Sequence, residues 1–417
     1  MISFDSIIGY DKIKRELKQI VDIIKNPHIY ASLGATMPSG ILLNGEPGVG
    51  KTMLATAFID ECGIKAYVLR RRRPCDDFVN EIRSVFDEAK QNTPSVILLD
   101  DMDKFVVEEK NTEEYVVLQA CIDEIKDFGV FVIATTNTTE DIPESLLRPG
   151  RFDRRFEVHS PNGRDSEKII RHYMSQKPLS DDVNYEDVSK MLSGKTCAEL
   201  ESVINEAAIN AGYERKSRIE MSHLISATLK KAYGVTEKRD ELSPEQREEI
   251  AYHEAGHAVI SEVITPGSVG IVSLSSEGRD SKGGFMSRCE DFDRRAYRIL
   301  VALGGKAAAE LKFGKVASGT TSDLSRAIKD IHISTTKIGT YGMASVNRCP
   351  SEALDARQEI VTLAELERYL FKAKEILASN REFLDLMAKA LYDRETLLYS
   401  DVKMIRERCL IVPAIVA

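Results

Sequence analysis

The stretch Gly45-Glu46-Pro47-Gly48-Val49-Gly50-Lys51-Thr52 leaves few options for the fold around it. Before it runs Ile41-Leu42-Leu43, a short apolar segment that reads as a buried strand, and after it Met53-Leu54-Ala55-Thr56-Ala57-Phe58, which reads as a helix. Strand, glycine loop and helix in that order are the setting a P-loop requires. Glycines let backbone N–H groups wrap phosphates, and the helix N-terminus adds its dipole. Lys51 neutralises β- and γ-phosphate charge, and the Thr52 hydroxyl can bind Mg2+. The residues from Gly45 to Met53 are therefore expected to hold ATP with Mg2+.

The rest of an α/β sheet can be traced from here. Ala66-Tyr67-Val68-Leu69 reads as a strand, and Ser95 to Leu99 is a β-type run ending in Asp100-Asp101. Asp100 is placed to bind magnesium through water, and Asp101 to orient the attacking water. Val130 to Ala134 is a further strand, followed by Thr135-Thr136 and the amide of Asn137 at its tip. Arg148 and Arg151 follow; on an isolated domain they are stranded, but they could reach the γ-phosphate held by a neighbouring subunit. The run Arg70 to Arg73 invites a nucleic-acid reading. In a chain of net charge −9 and pI near 5.5 it is better taken as a solvated or ligand-facing loop, and no nucleic-acid partner is expected.

The second chemical signal is Ala251-Tyr252-His253-Glu254-Ala255-Gly256-His257. Two histidines four apart share one helix face and can hold one Zn2+, while Glu254 beside the first can act as a general base. Small neighbours and the apolar run from Val259 to Ile264 predict a buried, closely packed helix. Arg295 to Phe313 reads as a helix whose Gly304-Gly305 and Ala307 to Ala309 suit it to pack against that one. Val269 to Leu274 and Gly283 to Met286 read as short strands, and Leu363 to Met404 as a helical pair. A catalytic zinc needs a third protein ligand, for which the residues offer Glu310, Asp323, Asp280 and Asp291. Asp323 also has an ordinary reading as an acid in a first helical turn, and His332 reads as plain helix.

At 417 residues the chain is long enough for two or three domains. Its seven cysteines form no CxxC pair and read as reduced thiols. No apolar stretch is long enough to span a bilayer and the N-terminus lacks a signal pattern, so the chain as given is expected to be cytoplasmic.

These motifs, in this order from about Phe4 to about Ile405, resemble the FtsH-type AAA+ zinc metalloproteases. The resemblance rests on Gly45 to Thr52, Asp100, Ala134 to Asn137, Leu147 to Asp153, Ala251 to His257, Gly304 to Ala308 and Ser322-Asp323. It implies an α/β P-loop AAA+ ATPase module with a small α-helical lid, followed by a mainly α-helical zinc metallopeptidase domain. The expected boundaries are 1–160 for the large ATPase subdomain, 161–236 for the lid, 237–249 for a charged linker and 250–410 for the peptidase. By resemblance Asn137 is the sensor residue, Arg148 and Arg151 are trans-acting fingers, and Asp323 is the third zinc ligand. The implied activity is ATP-driven unfolding and degradation of unfolded or tagged proteins by a homo-oligomer, a hexamer. Three departures stand out. The family's membrane spans are missing, so the chain is expected to be either a naturally soluble member or a trimmed one that is membrane-associated in full length; Asp101 replaces a glutamate; and the family's pore loop has no clean match, the segment Asp76 to Asn80 being shortened and without its glycine. The last two leave room for a nucleotide-dependent remodeller or adaptor with weak ATPase and weak unfolding.

Overall fold

A computed structural model of the protein describes all residues except 1, 72–76, 107–112, 127, 141, 236–242, 276–283, 290–293, 315–320, 339, 341–351 and 415–417. Two units emerge, one of residues 1–169 with 194–201, the other of residues 170–193 with 202–417.

The first unit is built on a parallel sheet. Its strands are β1 (Gly40–Asn44), β2 (Lys65–Leu69), β3 (Ser95–Leu99), β4 (Val130–Thr136) and β5 (Arg154–Glu157), in the spatial order β2-β3-β4-β1-β5. Every residue of β3 and β4 is buried, which is why Val96 to Leu99 and Val130 to Ile133 are unbroken runs of Val, Ile, Leu and Phe rather than alternating patterns. Successive side chains still go to opposite faces. Ile41, Leu43, Phe131 and Ile133 join Phe58 of the helix Lys51–Cys62 and Leu17 of the helix Asp11–Lys25. Leu42, Val132 and Ala134 join Phe86 of the helix Phe78–Gln91 and Leu118 of the helix Glu113–Glu124.

The insertion of β4 between β1 and β3 has a functional consequence. Asn44 pairs with Thr136 and Leu99 with Ala134, so the loops leaving three adjacent strands open on one edge of the sheet. That edge, at the carboxyl ends of parallel strands, is where ligands bind in such folds.

The second unit is mostly helical. Its central pair is the helix Pro244–Ile264, which carries both histidines, and the helix Arg295–Phe313. Glycine is required where they cross. A methyl on Gly256 would sit 2.3 Å from the carbonyl oxygen of Gly304, and one on Gly304 would sit 2.6 Å from that of Gly256. Overpacking of this kind costs about 1–3 kcal/mol or more, so the small cluster read from the sequence is what lets the two backbones approach.

Residues 244–249, expected in a linker, instead form the first turns of the histidine helix. Ser243 accepts from the Gln246 amide and Gln246 returns a bond to the Ser243 amide, with Pro244 at the first helical position. This capping box is legible in Ser243-Pro244-Glu245-Gln246 but was masked by the charge of the segment; residues 237–242 of the expected linker lie outside the described residues.

A small antiparallel sheet of β6 (Val269–Ser273), β7 (Phe285–Arg288) and β8 (Thr396–Leu398) lies in the order β7-β6-β8. The strand β8 interrupts what reads from sequence as a helical pair, which is resolved into Glu352–Ser379, Arg381–Arg394 and Tyr399–Glu407. Residues 170–193, expected with the lid, pack here as well. The helix Tyr185–Met191 lies so close to β6 that a methyl on Gly270 would sit 2.4 Å from the Lys190 carbonyl oxygen, and Asp187 accepts from both the amide and the hydroxyl of Ser400. The cysteines Cys62, Cys121, Cys197, Cys289 and Cys409 are free, and no described helix is long and apolar enough to cross a membrane.

Candidate active sites

At the open edge of the parallel sheet the P-loop residues converge on one amine. Lys51 is 6% exposed and its Nζ donates to the carbonyls of Gly45 (2.7 Å) and Glu46 (2.8 Å) and to Asn137 Oδ1 (3.0 Å). Burial pushes this ammonium below its usual range, and the carboxylates of Asp101, Asp103 and Asp100 offset part of the loss. The Thr52 hydroxyl, at the start of the following helix, donates to Asp100 Oδ1 (2.9 Å), and Thr135 at the end of β4 donates to the same oxygen (2.9 Å). One carboxylate oxygen thus accepts from both hydroxyls, and the pair Thr52 and Asp100 matches the P-loop threonine and strand-end aspartate that hold magnesium in P-loop enzymes. Gly45 and Gly48 adopt positive φ with no room for a side chain, the first against the Val158 carbonyl and the second against Ala198 and Thr196.

Asp101 differs from a relaxed catalytic acid. It sits in the left-handed region (φ 55°), which a short aspartate tolerates better than a longer side chain, and its Oδ2 accepts from Arg70 (2.9 Å) and Lys104 (2.6 Å). Burial raises its carboxyl, and the two cations more than reverse this. Arg70 therefore belongs to the nucleotide edge, with Arg71 paired to Glu114, while Arg72 and Arg73 lie outside the described residues. Within the segment Asp76 to Asn80, Phe78 is a buried helix residue edge-on to Phe105, and Asp76 lies outside the described residues.

The two arginines between β4 and β5 are placed differently. Arg148 is exposed. Arg151 is committed within its own chain, donating to both oxygens of Asp123 (3.0 and 2.7 Å) and to the Ser145 carbonyl. The bidentate pair holds the Asp123 carboxyl down at about 2.

In the second unit, His253, His257 and Asp323 come together from two helices. His253 Nε2 and His257 Nε2 lie 3.1 Å apart, and Asp323 Oδ2 lies 3.2 Å from the first and 3.3 Å from the second. Three donors on a tetrahedral zinc with bonds of about 2.0–2.2 Å are separated by about 3.4 Å, so these atoms already form one face of such a site. The His257 Nδ1 donates to the Val301 carbonyl (2.6 Å), which leaves Nε2 to face the cluster. His257 is lowered by burial and raised further by Asp323, up to about 9, while both imidazoles hold the Asp323 carboxyl well below its usual range. This donor set binds a proton only in place of a cation, and metal binding would release it.

Asp323 lies in a first helical turn, that of Thr321–Ile333, and its carboxylate also joins His253 and His257 in a group that could hold a metal ion. Of the rival ligands, Glu310 is taken up by Lys306 and Lys374, and Asp280 and Asp291 lie outside the described residues. His332 is exposed. Glu254, 4% exposed, is raised by burial and held by the Gly284 amide. Gly305 supports the cluster from behind: a methyl there would lie 2.4–2.6 Å from three atoms of the His253 ring. Gly305→Ala should weaken zinc retention about tenfold or more through displacement of that ring and leave ATP hydrolysis unchanged; a variant that retains zinc and cleaves normally contradicts this.

Comparison with known proteins matches residues 41–160 to the ATPase family associated with various cellular activities (AAA) and residues 240–361 to Peptidase family M41. Among similar proteins, the ATP-dependent zinc metalloprotease FtsH of Caldicellulosiruptor bescii is 33% identical over 95% of this chain and 70% of its own length. That of Helicobacter pylori strain J99 is 31% identical over 97% and 70%, and FtsH 2 of Symbiobacterium thermophilum is 31% identical over 97% and 74%.

Proposed function

The chain belongs to the FtsH family of ATP-dependent zinc metalloproteases, and from that premise we propose that it unfolds proteins with its first unit and cuts them with its second, as a hexamer acting on unfolded or tagged substrates. The observation that carries the reading is the His253–His257–Asp323 triangle, whose spacing matches a zinc face, in one chain with a buried P-loop lysine. His253, His257 and Asp323 hold the zinc, and Lys51, Thr52 and Asp100 hold MgATP.

When bound, zinc supplies Lewis acidity that activates water and polarises a peptide carbonyl. Glu254 then does the proton work: a carboxyl raised by burial can take a proton and return it to the leaving amine near neutral pH. The Gly284 amide keeps that carboxylate oriented. At the other site Asn137 ties the strand tip to Lys51, and Asp101 orients water for attack on the γ-phosphate.

The test is degradation of casein, expected with MgATP and absent with ADP; casein stable under both would leave only the remodeller. The ATPase acid gives a second check. Because Asp101 is withdrawn and tied to Arg70 and Lys104, Asp101→Glu should raise ATP turnover a few-fold with nucleotide affinity unchanged, while Asp101→Asn lowers turnover. The gain is limited because glutamate fits the left-handed backbone less well. Steady-state rates at saturating MgATP decide it, and a glutamate variant slower than the parent would contradict a weakened base.

A further inference from the structure

Asp103 is absent from the roles described so far. It stands in the short turn Met102–Lys104 beyond β3, two residues past the pair Asp100-Asp101. Its Oδ2 accepts from Asn137 Nδ2 at 3.0 Å, and its Oδ1 is buried without a hydrogen-bond partner among the described residues. Asn137 in turn accepts at Oδ1 from Lys51.

We infer that Asp103 is a positioning residue that fixes the orientation of the Asn137 amide and, through it, recognition of the γ-phosphate. The chemistry of the partners determines the orientation. A carboxylate can only accept, so the amide must turn its NH2 toward Asp103; an ammonium can only donate, so the amide oxygen must face Lys51. A bound nucleotide competes for the Lys51 ammonium, since its phosphates are the stronger acceptors. Once Lys51 turns to them, Asp103 alone holds the amide. The second N–H of Asn137 then remains a donor for an anionic oxygen; in the flipped amide the carbonyl would be presented in its place and would repel the phosphate. ADP lacks the γ-phosphate and gains nothing from this device. The inference rests on the reading of the P-loop edge as an ATP site.

Equilibrium titration of the full chain with ATP and with ADP, both with magnesium, tests it together with kcat and KM for ATP. Asp103→Ala should lower the preference for ATP over ADP and the kcat each by about tenfold, with ADP affinity unchanged. Asp103→Asn keeps an acceptor oxygen for Asn137 and should recover part of both. In an Asn137→Ala background, Asp103→Ala should add nothing. Three results would overturn the proposal: an unchanged ATP preference in Asp103→Ala, an equal loss of ADP affinity, or a full further loss in the Asn137→Ala background. A parent chain that binds neither nucleotide removes the ATP site itself, and the proposal with it.

Discussion

Glu254→Gln should abolish casein degradation, by about 10²–10⁴-fold at the least, while zinc content and ATP hydrolysis stay at the level of the parent. The expectation follows from separation of roles within a few ångströms. His253, His257 and Asp323 form the group that could hold the metal, and Glu254 is not one of its three members. Glutamine keeps the volume and an acceptor oxygen for the Gly284 amide but has no proton affinity near neutral pH. The neutral side chain is also easily accommodated in this buried position, since burial already disfavours the charged carboxylate. Loss of zinc together with activity would mean that Glu254 is structural. Cleavage that survives the change would refute its role as the base.

The second large effect concerns the subunit boundary. Arg148 is exposed, whereas Arg151 is held by Asp123 and the Ser145 carbonyl; on the proposal that an arginine acts across a subunit boundary, Arg148 is the one placed to do so and Arg151 the one that would support its segment. Arg148→Ala should therefore lower ATP turnover by about 10³-fold or more, as should Lys51→Ala. Mixing the two inactive forms should restore part of the rate, because some interfaces then pair an intact P-loop with an intact Arg148. Absence of recovery in samples shown to co-assemble would count against action across the boundary. Asp123→Asn, which releases one end of the Arg151 clamp, should lower turnover less than the loss of Arg148 does.

Much of both sites was legible because the chemistry fixes residue types at fixed spacings. The P-loop needs glycine where backbone meets phosphate, and the structure adds a second demand at Gly45 and Gly48, whose positive φ and close contacts with Val158, Thr196 and Ala198 leave no room for a side chain. The histidine helix declared its packing through Gly256 and Gly304-Gly305, whose partners across the helix crossing are each other and His253. What stayed hidden was set by tertiary contact. Arg70 lies about thirty positions before the acids it neutralises, and nothing in a four-arginine run marks the first as the one that reaches them. Asp103 is hidden for the opposite reason: it follows two acids that a P-loop fold already accounts for, and only the bond from Asn137, on the neighbouring strand's tip, gives it a part of its own. The linker was misjudged because charge outweighed a capping box, and β8 because three residues are too few to register against long helical periodicity.

The central claim is that zinc at His253, His257 and Asp323 cuts substrate that ATP hydrolysis elsewhere in the chain delivers. It is tested most directly by returning zinc stepwise to chelator-treated protein while casein loss and ATP hydrolysis are followed in the same sample with saturating MgATP. The account predicts that casein loss rises with zinc to a plateau at one ion per chain while ATP hydrolysis continues throughout, and that replacing ATP by ADP stops casein loss at every zinc level. Casein loss that is independent of zinc, or that proceeds at full rate with ADP, would contradict it.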